Sequence, residues 1–253
     1  MGILTGEEGD PVALENAVAQ GPVILVCEHA SRRLPASLGT LGLSAEALAS
    51  HIAWDPGALA VSRLMAEQLD ATLLFQRFSR LAYDCNRPPE SPAAMPEKSE
   101  VFDVPGNAGL DQAARDARTR ALYIPFRDRL RGLVETRIAE GRPPVIVTMH
   151  SFTPVYFGKP RDVEIGILHD ADTRLADAML AAAGTDGPYT IRRNEPYGPE
   201  DGVTHTLREH GLSKGLPNVM IEVRNDLIQN EAGQKVVAGY LAGLLGAALS
   251  AIE

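Results

Sequence analysis

The sequence predicts an α/β fold, a three-layer sandwich around a mostly parallel mixed sheet, formed as one domain over residues 1–253. Three apolar, β-branched segments carry this expectation: 23–27 (VILVC), 144–149 (PVIVTM) and 218–221 (NVMI). Runs of this kind read as strands covered on both faces. Segments of helical periodicity alternate with them, as in folds with helices on both sides of a parallel sheet. Each run also ends on polar residues, Glu28-His29, His150-Ser151 and Glu222. The carboxyl ends of such strands are where open α/β sheets bind ligands.

Residues 1–20 are polar and acidic and read as an irregular lead-in. The first strand follows Gly21-Pro22. Helices are expected over 44–52 and 55–70; in the second, Val61, Leu64, Met65 and Leu69 make one apolar stripe. Asp55 before Pro56 fits an N-cap with proline in the first turn. Short strands are expected at 72–75 and 81–85. Residues 88–110, rich in Pro, Gly, Ser and Asn, form an exposed loop long enough to be a substrate lid. A helix over 111–140 turns Phe126, Leu130, Leu133 and Val134 to one side, and Pro125 should kink or divide it. Strands at 144–150 and 163–169 follow, then a helix at 172–183 capped by Asp172 or Thr173. A strand at 189–193, mixed structure over 194–215 and the strand ending at Glu222 lead to a last helix. Its apolar face is Val236, Val237, Tyr240, Leu241, Leu244 and Leu245.

The 253 residues carry 33 acidic and 24 basic side chains, a formal net charge of -9. That argues against nucleic acid or an anionic membrane as the main partner. It leaves room for a small anionic substrate held by a few local arginines. Cys27 and Cys85 both lie in apolar segments and read as buried free thiols. With no N-terminal targeting signal and no apolar run near the length of a membrane span, a cytoplasmic enzyme is expected. No Gly-rich phosphate loop, Gly-x-Ser-x-Gly elbow or Cys-x-x-Cys pair occurs.

Two histidines and a carboxylate on one rim of the sheet point to a metal-dependent hydrolase. His29 and His150 are its imidazole donors. A histidine closing an apolar strand must satisfy both ring nitrogens, which ligation through one and a hydrogen bond through the other achieves. Asp55 is either a helix cap or the acidic ligand, with His51 the competing donor nearby. Glu222 interrupts an apolar strand, so it is paired or functional. As a functional group it is a general base. Arg224 shares its strand parity and is its candidate partner, and is counted with the substrate-binding residues. Arg80, Asn86 and Arg87 offer donors to a carboxylate, unless Asp84 takes the arginines in structural ion pairs. Ser151 either orients substrate or ends its strand. Residues 194–198 and 204–211 could wall the pocket. His205 and His210 read as exposed, and His169 as part of a strand-to-helix connection.

Together, Glu28-His29-Ala30-Ser31, Ile52-Ala53-Trp54-Asp55-Pro56-Gly57-Ala58, Ser79-Arg80, Asp84-Cys85-Asn86-Arg87-Pro88, Met149-His150-Ser151-Phe152, Asn194-Glu195-Pro196-Tyr197 and Ile221-Glu222-Val223-Arg224-Asn225-Asp226 resemble the N-formylglutamate amidohydrolase family. The resemblance runs from about Val23 to the last helix. It implies a phosphorylase/hydrolase-like fold related to zinc carboxypeptidases, with one zinc ion held by His29, an acidic ligand and His150. It implies Glu222 as the catalytic glutamate and Asn86-Arg87 as the carboxylate-holding pair. The implied substrate is a small anionic N-acyl amino acid, nominally N-formyl-L-glutamate. In carboxypeptidases a glutamate ligand follows the first histidine by three positions. Here that position is Arg32, so Asp55 takes the acidic ligand's place. The sequence also reads Glu28-His29-Ala30 where formylglutamate hydrolases typically have Pro-His-Ser. A non-catalytic anion-binding protein on the same fold, or a cytoplasmic zinc peptidase or amidase, are the alternatives.

Overall fold

The structure, a computed structural model, describes residues 2–252. Seven strands make one sheet: β1 (Val12–Glu15), β2 (Val23–Cys27), β3 (Thr72–Gln76), β4 (Val145–Phe152), β5 (Ile165–Leu168), β6 (Ile191–Arg193) and β7 (Asn218–Arg224). Their order across the sheet is β1-β3-β2-β4-β7-β5-β6. The pairs β1–β3 and β7–β5 are antiparallel and the other four are parallel, so the sheet is mixed and mostly parallel. The three strands that carry the polar termini, β2, β4 and β7, are central neighbours and run in one direction.

Each strand packs both ways because its side chains alternate between faces. Leu25, Val147, Met149, Val219 and Ile221 face one layer, made of α2 (Ala58–Gln68), α5 (Arg174–Ala183) and α6 (Glu231–Ile252). Ile24, Val26, Leu74 and Ile146 face the other layer, where Phe126, Leu130 and Val134 come from α4 (Ile124–Ala139). Full burial of one such side chain is worth about 1.5–3 kcal/mol. The two apolar layers therefore hold the sheet, and polar groups enter only at its carboxyl rim.

Several local expectations change in the folded chain. The lead-in contains β1, because Val12 and Leu14 reach the apolar layer beside α4 when 12–15 pairs with 73–76. Residues 81–85 are not a strand. They form buried turns in which the Ser79 hydroxyl accepts from the Leu81 amide and Asp84 Oδ1 accepts from the Asn86 amide. Their apolar side chains sit in the core as loop residues. The helix expected over 111–140 is divided, as Pro125 suggested, into α3 (Gln112–Arg118), a π turn at Thr119–Tyr123 and α4. Asp172 Oδ1 accepts from the Arg174 amide, while Thr173 turns its hydroxyl to Asp177.

The expected N-cap at Asp55 is also overturned. The first helix, α1 (Ala45–Ala49), is capped by Ser44, and α2 begins only after Gly57, which stands at φ 82°. A Cβ on Gly57 would lie 2.6 Å from the Ile228 carbonyl oxygen, so glycine is needed both for the left-handed turn and for this close approach. The turn frees the Asp55 side chain from the helix end and points it at the sheet rim.

The last helix corrects two expectations. Val237, Leu241, Leu244, Leu245 and Ala248 are buried against α2 and α5, but Val236 is 63% exposed, since consecutive helical residues point about 100° apart. By length and a mean hydropathy of 1.7, α6 is apolar enough to cross a membrane, contrary to the expectation that no segment comes near this. Here its apolar stripe forms part of the core.

Residues 199–216 cover the same side of the sheet as α4 and include a π turn at Leu207–Gly211. His205 and His210, expected at the surface, are half-buried and buried there. Burial holds the His210 ring neutral, with its pKa down to about 4. The unfolded value is about 6.5, so protonation favours the unfolded chain. This contribution to stability is fully present above about pH 6.5 and is lost as pH falls towards 4. His210→Gln should remove it. Chemical denaturation at pH 7 and pH 4.5 should show the wild type losing on the order of 2 kcal/mol more stability than the variant. Equal losses in both proteins would contradict the assignment.

Candidate metal centre

The register of the central strands builds the site. Val26 pairs with Thr148 and Glu222 pairs with His150. Continuing β2 by two residues sets Glu28 beside His150, so Glu28, His150 and Glu222 form one row across three strands. His29 follows Glu28, and the 55–57 turn brings Asp55 against the strand ends: the Asp55 amide donates to the His29 carbonyl at 2.9 Å.

His29, Asp55 and His150 then converge. Asp55 Oδ2 lies 2.9 Å from His150 Nδ1 and 3.3 Å from His29 Nδ1, and the two Nδ1 atoms are 3.2 Å apart. All three residues are buried. The far nitrogens are each backed by a carboxylate. His29 Nε2 meets Asp84 Oδ1 at 2.7 Å, and His150 Nε2 lies 3.1 Å from Glu28 Oε2. Nitrogens that face one another across such a gap suit a divalent cation at the centre, with the His29 ring hydrogen-bonded from behind to Asp84 and the His150 ring in ion-pair contact with Glu28, whose carboxylate makes no hydrogen bond among the described residues. The donor set is two nitrogens and one oxygen.

Charge around the centre is closely balanced. Burial disfavours ionisation of Asp55 and Asp84. His29 and His150 together outweigh it at Asp55, and His29 together with Arg80 at Asp84, so both carboxyls stay below the usual range. Burial likewise opposes charging His150, yet Glu28 and Asp55 hold its pKa well above the ordinary value. Glu222 differs. Burial dominates and pushes its pKa up to about 7, and its Oε2 has no hydrogen-bond partner among the described residues. It is a carboxyl able to exchange a proton near neutrality.

A cavity of about 480 Å³ opens onto these groups. Arg80, Asn86, Arg87, Ser151 and Glu222 line it with the three candidate ligands. Arg80 is largely engaged, with Nη2 2.7 Å from Asp84 and Nη1 3.5 Å from Asp55. The Arg80–Asp84 pair and the position in the cavity wall thus coexist. Asn86 spends its amide on Val203 O and on the Thr206 amide, which ties the 203–206 segment to the site. Arg87 donates through Nη1 to Asp201 O. The Ser151 amide donates to Asp55 Oδ2, and its hydroxyl donates to Pro56 O.

Arg224 lies apart. Its guanidinium turns to Asp226 and Glu164, outside the residues that line the cavity, and it does not partner Glu222. His51 lines the mouth and pairs with Glu100 at 2.9 Å, away from the ligand set. The 88–110 segment is not an exposed loop: it carries a short ribbon of 98–99 with 102–103 and buries Ala94, Met95 and Val104, and its Ser99 and Glu100 form part of the wall, as do Pro196 and Tyr197. His169 is held by Asp170 O and Arg193 outside the cavity. Arg32 is exposed and lies over the Trp54 ring.

Three contributors were not assigned from the sequence. Glu28 and Asp84 brace the imidazoles; strand parity with His150 was the available signal for Glu28. Arg161 lines the cavity from a loop, and no periodicity marks it.

A model of the N-formylglutamate amidohydrolase family matches residues 21–229. A gene product from Agrobacterium tumefaciens of known crystal structure is 64% identical, with 99% of each chain covered and a TM-score of 0.97. N-formylglutamate amidohydrolase from Ralstonia eutropha JMP134 is 18% identical over 93% of this chain and 95% of that one, with a TM-score of 0.63, a likeness of fold. No curated protein sequence matches the chain.

Glu28 touches the centre only through His150, which makes it a clean probe of the bracing carboxylates. Glu28→Gln should weaken divalent-ion affinity about 10- to 100-fold in a chelator competition, with the fold intact by circular dichroism. Unchanged affinity would mean that Glu28 does not orient a ligand.

Proposed function

Because the chain belongs to the N-formylglutamate amidohydrolase family, we propose that it is a zinc-dependent amidohydrolase acting on a small anionic N-acyl amino acid. The nominal reaction converts N-formyl-L-glutamate and water to formate and L-glutamate. We take residues 1–253 as one catalytic domain, working in the cytoplasm, a compartment that two buried free thiols suit. The observation that carries the reading is the carboxylate-braced His29, Asp55 and His150 set beside an unpartnered Glu222 in one cavity.

Support for zinc comes from the donor spacing. Three donors about 2.0–2.2 Å from one ion in tetrahedral directions stand about 3.3–3.6 Å apart. The spacings here are 2.9, 3.2 and 3.3 Å, so a small opening of the Asp55–His150 contact brings the set to that range. When bound, zinc supplies a Lewis acid that lowers the pKa of water towards about 7 and polarises a carbonyl.

The chain's own residues do the rest. Glu222 takes the proton of the attacking water and passes it to the amide nitrogen as the C–N bond breaks and the amine leaves. Its raised pKa lets it both accept and return that proton near neutrality. Arg87 binds the substrate carboxylate with the donors that Asp201 O leaves free. Arg80 keeps positive charge on the same wall. Ser151 and Asn86 hold the wall itself, through Asp55, Pro56 and the 203–206 segment. Arg224 joins β7 to Glu164 and Asp226 rather than touching substrate.

Metal analysis together with formate release from N-formylglutamate tests the proposal. A metal-free protein whose His150→Ala variant keeps the wild-type rate would sink it. Glu222→Gln should lower kcat by about 100-fold or more while bound zinc stays near the wild-type amount. Arg87→Ala should instead reduce kcat/KM by about 10- to 150-fold, since a hydrogen bond to a charged group is worth about 1.5–3 kcal/mol. An analogue lacking only the carboxylate that Arg87 binds should lose little further in that variant. If Arg87→Ala discriminates against the analogue as strongly as the wild type does, Arg87 is not the clamp.

A further inference from the structure

The three arginines that line the cavity are not equivalent. Arg80 is spent on Asp84 and Asp55. Arg87 reaches over from the 84–88 turn and is fixed by Asp201 O. Arg161 enters from another wall, after the two-stranded ribbon of Val155–Tyr156 and Lys159–Pro160. It carries no ion pair among the described residues, and its polar contact to Thr153 O is long at 3.4 Å.

Its surroundings hold it in place without neutralising it. The guanidinium lies 4.4 Å from the Tyr156 ring, 4.9 Å from Tyr197 and 5.5 Å from Phe152. Aromatic faces attract the cation and fix the plane of the fork, leaving edge donors free. Glu222 lines the same cavity and forms no ion pair with Arg161, and the other neighbouring acids are engaged elsewhere. Glu100 is taken by His51 and the Phe157 amide, Glu164 by Arg224 and the Thr190 amide, and Asp201 by the Gly198 amide. A half-buried cation oriented in a cavity wall, with no acid committed to it, is built to receive an anion.

We infer that Arg161 is the specificity-determining residue of this cavity, binding a second carboxylate of the substrate while Arg87 binds the first. Arg161 is then the residue by which this cavity tells the nominal dicarboxylic substrate from its neutral side-chain counterparts. The inference rests on the amidohydrolase reading above but adds a residue and a separate subsite to it.

The test compares N-formylglutamate with N-formylglutamine in the zinc-loaded enzyme and in Arg161→Met, which keeps the stem against the aromatic rings. The wild type should prefer the dicarboxylate in kcat/KM by about 10- to 150-fold, the span expected for one charge-assisted contact. Arg161→Met should lose that preference and leave the formylglutamine value within a few-fold of wild type. Arg161→Lys, which keeps charge but not the fork, should restore part of it, and it also serves if the methionine variant fails to fold. A purely structural role would depress both substrates alike and leave their ratio unchanged, which would overturn the inference. So would a wild type that hydrolyses both substrates equally. If the wild type hydrolyses neither, the reaction assigned above fails, and calorimetry with glutarate and butyrate decides the subsite alone. Glutarate should then bind at least 10-fold tighter than butyrate in wild type and not in Arg161→Met. Equal binding would overturn it.

Discussion

The buried Asp55 carboxylate is the group on which the site's geometry depends. One of its oxygens meets both imidazoles and the Ser151 amide, and the other faces Arg80. The partners come from three stretches of chain: the end of β2, the last residues of β4 and the turn after β3. Burying a carboxylate is expensive unless it is paired and hydrogen-bonded. The carboxylate therefore tolerates no large displacement of any of these segments. Gly57 is what lets the chain turn sharply enough after Asp55 to start α2 while the side chain stays at the rim.

Around that oxygen the charges alternate. Asp84 and Glu28 lie behind the imidazoles, and Arg80 bridges Asp84 and Asp55. Such a cluster is poor evidence for stability, because desolvation offsets most of the attraction. The fold is held by the apolar layers on the two faces of the sheet. The polar row is confined to the carboxyl rim, where the cavity begins. Glu222 stands at the end of this row without a compensating partner. Burial is what raises its pKa, against the opposing pull of His150.

Part of this was legible in sequence. Helical and strand periodicity placed all but one of the seven strands and showed that α4 starts near Pro125. The exception, β1, is short and half-buried, and its pairing with β3 depends on contacts about 60 residues away. The 81–85 segment failed for the opposite reason: it is apolar because it is buried, and burial does not require a strand. Asp55 followed by Pro56 carries the local signature of a helix cap. Only the closeness of β2 and β4 turns it towards two histidines. Arg161 left no signal, since its role comes from Tyr156, Tyr197 and Phe152 meeting around it.

The sequence by itself determined the layer architecture, because residue-by-residue apolar periodicity is a local property that survives without coordinates. It also placed His29, His150 and Glu222 towards the carboxyl ends of their strands, although β4 and β7 run two residues past His150 and Glu222. Tertiary structure decided which polar groups meet. Sheet order made β2, β4 and β7 neighbours, register set Glu222 opposite His150, and loop packing chose the partner of each arginine. Those choices depend on distances between segments far apart in the chain, and electrostatic roles follow distance rather than residue type.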